Sequence, residues 1–175
     1  MCEAPRAGTL LRGGKAELIE PQEFRNALGR FPSGVTVVTV MDGDEPRGMT
    51  VSSFMSLSLE PPLVAIALGH GSAPQTLLGP GRHFGVSVLR RGQEAVSDLF
   101  AGRSVSIADP VTISDGFPFI RNSISRLLCR VVAAHEAGDH TLYVGEVERL
   151  AYEEGEPLIY HRGSYVAFGE LDQAE

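Results

Sequence analysis

The residues best suited to chemistry lie in one short segment rich in small and hydroxyl side chains, Arg47–Phe54. Gly48 stands near its start, and Thr50, Ser52 and Ser53 follow. A glycine in a strand lets a ligand approach the backbone closely. Hydroxyl and backbone N–H groups can then bind carbonyl or phosphate oxygens without adding charge. The segment predicts a surface for a polar ligand, although a half-buried strand with one polar face explains the same residues.

A second segment, Leu68–Thr76, is typical of a buried strand that runs through a glycine turn into a short helix. We expect Ser72 to cap this helix and Pro74 to lie in its first turn. Backbone N–H groups at such a turn can hold an anion or an amide. A plain helix cap without any ligand is the alternative interpretation.

Two further turns carry ring side chains. His140 follows Gly138-Asp139 between two predicted strands. An imidazole there can donate to an amide or a phosphate, but Gly-Asp is also an ordinary turn signal. The segment Tyr160–Tyr165 places two tyrosines, a histidine and an arginine around a tight turn. These side chains can stack on a planar ligand, or they can simply end a polar hairpin.

Motifs of several common enzyme classes are absent from the sequence. It contains no G-x-G-x-x-G, no Walker loop, no G-x-S-x-G, no H-E-x-x-H and no C-x-x-C. The five histidines are scattered, so their spacing gives no reason to expect a metal site. Cys2 and Cys129 predict one thiol in a tail and one buried thiol rather than a disulfide.

Length and charge narrow the classes of protein. The chain of 175 residues suits one domain. Its net charge of -7 argues against binding to a phosphate backbone, so no nucleic-acid partner is expected. No apolar stretch reaches the roughly 20 residues that span a bilayer. Residues 1–20 lack the basic and apolar pattern of a secretion signal. We therefore expect no membrane contact and a cytoplasmic location.

The elements that must position these residues follow from hydrophobic patterns and turn signals. We predict a flexible arm over residues 1–20 and one domain over residues 21–170. Helices are predicted over Pro21–Leu28, Ala73–Leu78 and Gln93–Phe100. Strands are predicted over Val35–Val40, Gly48–Leu59, Leu63–Leu68, Phe84–Leu89, Ile124–Ala134, Thr141–Leu150, Pro157–Tyr160 and Tyr165–Phe168, with a long loop over Ala101–Asn122. Short helices among many strands indicate an α+β domain built on a closed or nearly closed antiparallel barrel.

Five segments stand out by their order and spacing: Phe31–Thr39, Gly48–Val64, Phe84–Leu89, Gly138–His140 and Pro157–Tyr160. With them the chain, from Phe24 to Phe168, resembles the short-chain flavin reductase family, the small reductase partners of two-component flavin-dependent monooxygenases. The resemblance implies a split antiparallel β-barrel with a few short helices, which binds flavin non-covalently and usually forms a homodimer.

The resemblance also implies which residues bind the cofactors. Flavin contacts are expected at Arg47, Gly48, Met49, Thr50, Ser52, Ser53, Ala67, Leu68, Gly69, Ser72, Ala73, Pro74 and Phe100. The nicotinamide nucleotide is expected at His140 and Ser33. No lysine or extra arginine marks the turn at Ser72, so phosphate binding would depend on backbone N–H groups, hydroxyls and Arg47.

The implied activity is that of an NAD(P)H:flavin oxidoreductase. It uses NADH or NADPH to reduce FMN or FAD, and it supplies reduced flavin to a separate oxygenase. The cofactors carry the chemistry and the protein positions them, so neither a catalytic side chain nor a metal is expected. Two alternatives stay open. One is a non-catalytic flavin or haem storage protein of the same fold. The other is an oxidase of a phosphorylated vitamer, against which the single lysine of the chain argues.

Overall fold

The computed structural model describes residues 19–167. The described residues form the helices α1 (Pro21–Leu28), α2 (Ala73–Leu77) and α3 (Glu94–Phe100). They also form the strands β1 (Ser33–Gly34), β2 (Thr36–Asp42), β3 (Glu45–Val51), β4 (Met55–Leu59), β5 (Pro62–Gly69), β6 (His83–Val88), β7 (Val111–Ser114), β8 (Phe117–Ile120), β9 (Ser125–Ala137), β10 (His140–Tyr152), β11 (Ile159–His161) and β12 (Ser164–Val166). Most of the predicted arm, with Cys2, and the last residues of the predicted domain lie outside this range.

One antiparallel sheet of seven strands carries the fold, in the order β3-β2-β6-β9-β10-β5-β4. The sheet curls, so that β3, at one edge, comes into contact with β5, the strand next to the other edge. The segment Ser52–Phe54 joins the two edge strands β3 and β4. The short helix α2 packs against β2 and β3. The predicted architecture of mostly antiparallel sheet with a few short helices is confirmed.

Two clusters of buried side chains hold the curled sheet. The larger one is drawn from six of its strands and includes Ile66, Phe84, Cys129 and Tyr143. The smaller one includes Val37, Leu89, Ile120 and Leu158, with Val96 and Phe100 of α3 packed against it. Strand β2 contributes alternate residues to both clusters, so it is buried on both faces, which explains its run of β-branched residues.

One glycine is required by the packing of the larger cluster. A Cβ built on Gly145 would lie 2.4 Å from Cζ of Phe84 and 3.1 Å from Cβ of Cys129. The ring of Phe84 therefore occupies the place of a side chain on β10, and any larger residue at this position must displace the core.

The predicted strand Gly48–Leu59 is wrong, because this stretch forms two strands. β3 pairs with β2, and β4 pairs with β5 at the other edge of the sheet. The chain crosses between these edges at Ser52–Phe54, where the ladder is interrupted. A uniform run of alternating residues does not reveal that its two halves have different partners.

The predicted long loop Ala101–Asn122 is also partly wrong. It contains the hairpin β7–β8, whose turn at Asp115-Gly116 has positive φ at both residues. Its strands have four residues each, too few for a periodic pattern to stand out in the sequence. The three helices lie where they were predicted, within one residue at each end.

No helix among residues 19–167 is both long enough and apolar enough to cross a bilayer. Over the same residues, no group of three or more histidine, cysteine, aspartate or glutamate side chains is placed to hold a metal ion.

Candidate functional site

An open cleft lies where the end of β3 meets α3 and the hairpin β11–β12. About 420 Å³ of space lies within it when the solvent at its open side is included. Its lining residues come from four separate parts of the chain: Val35, Thr50, Ser52, Ser97, Ala101, Arg103, Tyr160 and Tyr165. The cleft therefore joins two of the hydroxyl residues singled out in the sequence with both tyrosines of the β11–β12 turn.

A hydrogen-bond network builds one wall of the cleft around α3. The hydroxyl of Thr50 donates to the carbonyl of Ser97 at 2.6 Å. The hydroxyl of Tyr165 lies 2.7 Å from Oδ1 of Asp98 and 2.9 Å from Oγ of Ser97. Arg103 forms an ion pair with the same carboxylate at 2.9 Å. The network ties β3, α3 and β12 together, so the cleft keeps its shape before any ligand binds.

Tyr165 remains a neutral hydrogen-bonding group in this network. Burial raises the pKa of its phenol above the ordinary value, and the neighbouring carboxylate of Asp98 acts in the same direction. With one proton, its hydroxyl donates to Asp98 and accepts from the hydroxyl of Ser97. The ring of Tyr160 meets the ring of Tyr165 edge to face, with centroids 5.3 Å apart, which presents an aromatic wall to the cleft.

Ser53 fixes the chain where it crosses between the sheet edges. Its hydroxyl donates to the carbonyl of Ala67 at 2.8 Å and accepts from the N–H of Ala67 at 3.0 Å. The Ser53 hydroxyl thus makes the two backbone hydrogen bonds that a neighbouring strand would make to Ala67, just before β4 begins to pair with β5. The adjacent Ser52 is exposed and forms no hydrogen bond with any residue of the described chain. Its hydroxyl is held at the cleft by its neighbour and is available to a ligand.

His140 lies at the far end of β5, directly opposite Gly69 in the ladder. Its Nδ1 is 2.7 Å from Oδ1 of Asp139. That hydrogen bond is the main reason that the pKa of Asp139 is lowered from its ordinary value. Nε2 lies 3.7 Å from the position that a Cβ on Gly69 would take. With Nδ1 donating to the carboxylate, Nε2 remains available on the Gly69 side of the ring.

The predicted position of Ser72 at the N-cap of α2 is confirmed, but a capping role for its side chain is wrong. Ser72 occupies the N-cap position, but its hydroxyl donates to the carbonyl of Gly69 at 2.9 Å and caps no helical N–H. The turn passes through Gly71 with φ of +80°, and this tight turn brings that carbonyl within reach of the side chain. The N–H of Gly71 donates instead to the side chain of Gln75 at 3.1 Å.

Several residues predicted to contact flavin have their side chains committed elsewhere. Leu68 and Pro74 are buried, and Met49 packs against the larger core cluster, so these three can offer a ligand little more than backbone. The guanidinium of Arg47 forms ion pairs with Asp42 and Glu45 at the tip of the β2–β3 hairpin. An anion would have to displace these carboxylates to reach it.

Gly48 has a structural reason to be glycine. A Cβ at this position would lie 3.0 Å from the ring of Phe100 and 3.1 Å from the carbonyl of Val38. A ligand was expected to approach the backbone closely at Gly48. In the structure the ring of Phe100 in α3 occupies that place.

The two residues predicted to bind the nucleotide lie on different elements. Ser33 is on β1, opposite Tyr160 of β11 and thus beside the cleft. His140 is on β10, beside the turn at the end of β5. No hydrogen bond or ion pair within residues 19–167 connects the two.

Sequence reasoning missed Ser97 and Arg103 as cleft residues. Ser97 is a buried residue of α3. A serine among apolar residues of a short helix was the available signal. Its partner Thr50 is distant in sequence, so nothing local connected the two.

The chain is similar in sequence to proteins named as flavin reductases. The sequence profile of the family described as "Flavin reductase like domain" matches residues 28–169. The FMN reductase (NADH) SmoA of Agrobacterium fabrum is 42% identical over 149 residues, which is 84% of this chain and 86% of that protein. The reductase component of 4-hydroxyphenylacetate 3-monooxygenase of Thermus thermophilus is 45% identical over 145 residues, covering 82% and 94%.

A solved structure agrees with these relatives. The NADH:FAD oxidoreductase SgcE6 of Streptomyces globisporus, in complex with NAD and FAD fragments, superimposes with a TM-score of 0.78 at 38% identity. The superposition covers 91% of this chain and 100% of that one. The likeness thus extends over nearly the whole length of both proteins.

Proposed function

Because the chain belongs to the flavin reductase-like family, we propose that it is an NADH-dependent flavin reductase. It takes electrons from a reduced nicotinamide nucleotide and passes them to FMN or FAD. One observation carries this conclusion: relatives at 42% and 45% identity, aligned over more than four fifths of this chain, are named as an NADH-dependent FMN reductase and as the reductase component of a monooxygenase. Neither they nor the matching solved structure is named as a storage protein.

The described residues fit a flavin on three observations. The cleft is open, it carries the unpaired hydroxyl of Ser52, and it has an aromatic wall at Tyr160 and Tyr165. Neutral hydroxyls and backbone groups suit the carbonyl and amide edge of a flavin ring, and tyrosine faces suit its plane. We therefore propose that the flavin lies along the strip from Thr50 through Ser53 to Gly69.

When bound, the flavin supplies the redox chemistry, since its ring accepts a hydride from a reduced nicotinamide. The protein contributes by holding the flavin and the nucleotide in position. Thr50, anchored to α3, and Ser53, anchored to β5, hold the crossing segment rigid, and Ser52 donates from it to the ligand. Rigid placement of two reactants is worth roughly 7–11 kcal/mol of barrier in well-oriented systems.

The predicted site residues remain a proposal, with a division of roles. Ser52 offers its hydroxyl to the flavin, Thr50 and Ser53 anchor the chain beside it, and the turn from Ala67 to Ala73 contributes mainly backbone. Asp139 orients His140, which receives the nicotinamide nucleotide with Nε2. Ser33, opposite Tyr160, makes a secondary contact with the nucleotide. NADH is preferred to NADPH here because SmoA and SgcE6 are named for it.

Three features of the proposal concern the whole protein. We take the curled seven-stranded sheet to be the split barrel that the resemblance implies. The protein acts as a homodimer, which agrees with a row of exposed apolar side chains on the edge strand β4, where Leu59 is 91% exposed. Reduced flavin passes to a separate oxygenase, as the name of the Thermus relative suggests. The cytoplasmic location stays a prediction.

The test is NADH oxidation by the purified full-length protein, followed by absorbance, with FMN, FAD, riboflavin or no flavin added. Flavin-dependent turnover is expected, and the same assay with NADPH ranks the nucleotides. A Ser52→Ala variant should need more flavin for half-maximal rate, whereas Ser56→Ala, an exposed serine on β4 outside the cleft, should behave as the parent. Tight flavin binding without any NADH oxidation would contradict the proposal and favour the storage protein.

A further inference from the structure

A second crevice lies away from the cleft, between the β7–β8 hairpin and the outer face of β9 and β10. It shares no lining residue with the cleft. Its walls are largely apolar and include Phe119, Leu128 and Leu150. Leu150 is 62% exposed, so part of the apolar surface remains open to solvent and to a ligand.

Two arginines, Arg126 and Arg149, also line this crevice. Arg149 lies 3.7 Å from a carboxylate oxygen of Asp115, with both side chains largely exposed. The guanidinium of Arg126 forms no ion pair or hydrogen bond with any residue between 19 and 167. The crevice therefore carries one positive charge that the protein does not neutralise.

Arg126 differs in this respect from the other arginines of the described chain. Its neighbour on β9, Arg130, is bonded to Glu146 and Glu148. The arginines without a side-chain partner among the described residues are exposed, apart from Arg126, which is half-buried. The exposed set is Arg25, Arg30, Arg82 and Arg162. A guanidinium that is partly removed from water without a counter-charge is unfavourable, and an anion in the crevice would compensate it.

We propose that this crevice binds a small amphipathic anion, an aromatic carboxylate with one ring. The planar guanidinium matches a carboxylate with two parallel hydrogen bonds. The ring then lies against Phe119, Leu128 and Leu150. The crevice is small and half open to solvent, so a ligand with more than one ring would extend out of it. The inference does not depend on flavin reduction.

The test uses isotope-labelled full-length protein and two probes of equal shape, 4-methylbenzoate and the neutral 4-methylbenzamide. The carboxylate should give saturable shifts in amide NMR signals around Leu128 and Ala151. The amide should bind about tenfold more weakly or worse, since hydrogen bonds between charged groups are the stronger class. Saturating FMN should not displace the carboxylate. Absence of saturable shifts, equal binding of both probes, or displacement by FMN would overturn the proposal.

Substitutions test whether Arg126 is the residue that binds the carboxylate. Arg126→Gln should weaken 4-methylbenzoate about tenfold, and Arg25→Gln, an exposed arginine on α1, should leave its affinity unchanged. Leu150→Glu, at an exposed position, brings a competing carboxylate into the crevice and should also weaken binding. Dispersed amide spectra establish that each variant is folded. Unchanged affinity in both folded crevice variants would show that the carboxylate binds elsewhere.

Discussion

His140 shows how a single side chain is prepared for a ligand by its neighbour. Asp139 accepts a hydrogen bond from Nδ1, and this bond lowers the pKa of the carboxyl from its ordinary value. The ring is thereby fixed with Nε2 towards the end of β5. The sequence predicted the residue from its turn, but it could not predict that Gly69 would lie opposite, because that register joins distant strands.

We predict that His140→Ala raises the KM for NADH roughly tenfold, the value of about one hydrogen bond to a bound ligand. The dissociation constant for FMN should change much less, since Thr50 and Ser52 lie on other elements. Steady-state kinetics and a flavin titration measure the two effects. His135→Ala, an exposed residue of β9, is the matched control. An unchanged KM for NADH in the His140 variant would remove this residue from the nucleotide site.

Cys129 gives a prediction for a residue that takes no part in the proposed chemistry. It is fully buried, and burial raises the pKa of its thiol to about 12, with the charge of Glu148 adding to the effect. The thiolate is the reactive form, so the folded protein should not react here at neutral pH. In a Cys2→Ser background, Ellman's reagent should label the protein only after denaturant is added. Rapid labelling of the native protein would show that the core opens at β9.

At the scale of elements, the end of β3 together with the segment that joins it to β4 shapes the candidate site. The sequence predicted its hydroxyl residues but placed them within one continuous strand. The structure divides them by role: Thr50 bonds to α3, Ser53 bonds to β5, and Ser52 has its hydroxyl free between these anchors. Hydrophobic alternation reports which faces of a strand are buried, and it carries no information about which neighbour a strand pairs with.

We predict that Ser53→Ala costs about 1 kcal/mol of stability, because water replaces the two exposed hydrogen bonds to Ala67. Flavin affinity should fall by a larger factor than this cost implies, since the crossing segment loses its anchor. Urea unfolding and a flavin titration on the same variant give the two numbers. Ser56→Ala serves as the control on β4. A variant with reduced stability and undiminished flavin affinity would contradict the anchoring role.

At the scale of the molecule, composition and turn signals sufficed to predict an α+β domain built around an antiparallel sheet. The order of its strands could not be predicted from them. β2 pairs with β6, and β5 pairs with β10, across long stretches of chain. The site residues belong to these long-range pairings, so their grouping was implied by the resemblance to a family and not by local pattern.

The exposed edge of the sheet bears on the proposed homodimer. Met55, Leu57 and Leu59 line β4, and all three are about half exposed or more. We predict that sedimentation at micromolar concentration gives twice the chain mass of 18.8 kDa. Leu59→Glu, which places a charge in this row, should shift the equilibrium towards single chains. A parent protein that sediments at the mass of one chain would contradict the homodimer.

The curl of the sheet has a consequence for folding. Hairpins such as β9–β10 close short loops and can form early, whereas the curled sheet also needs β5 to pair with β10, where Gly69 lies opposite His140 far along the chain. The proposed binding strip lies along that late junction. We therefore expect mild destabilisation to abolish ligand capture while most secondary structure persists. If a substitution far from the binding strip abolishes binding, the cause is then incomplete closure of the curled sheet. Circular dichroism alone would not detect this.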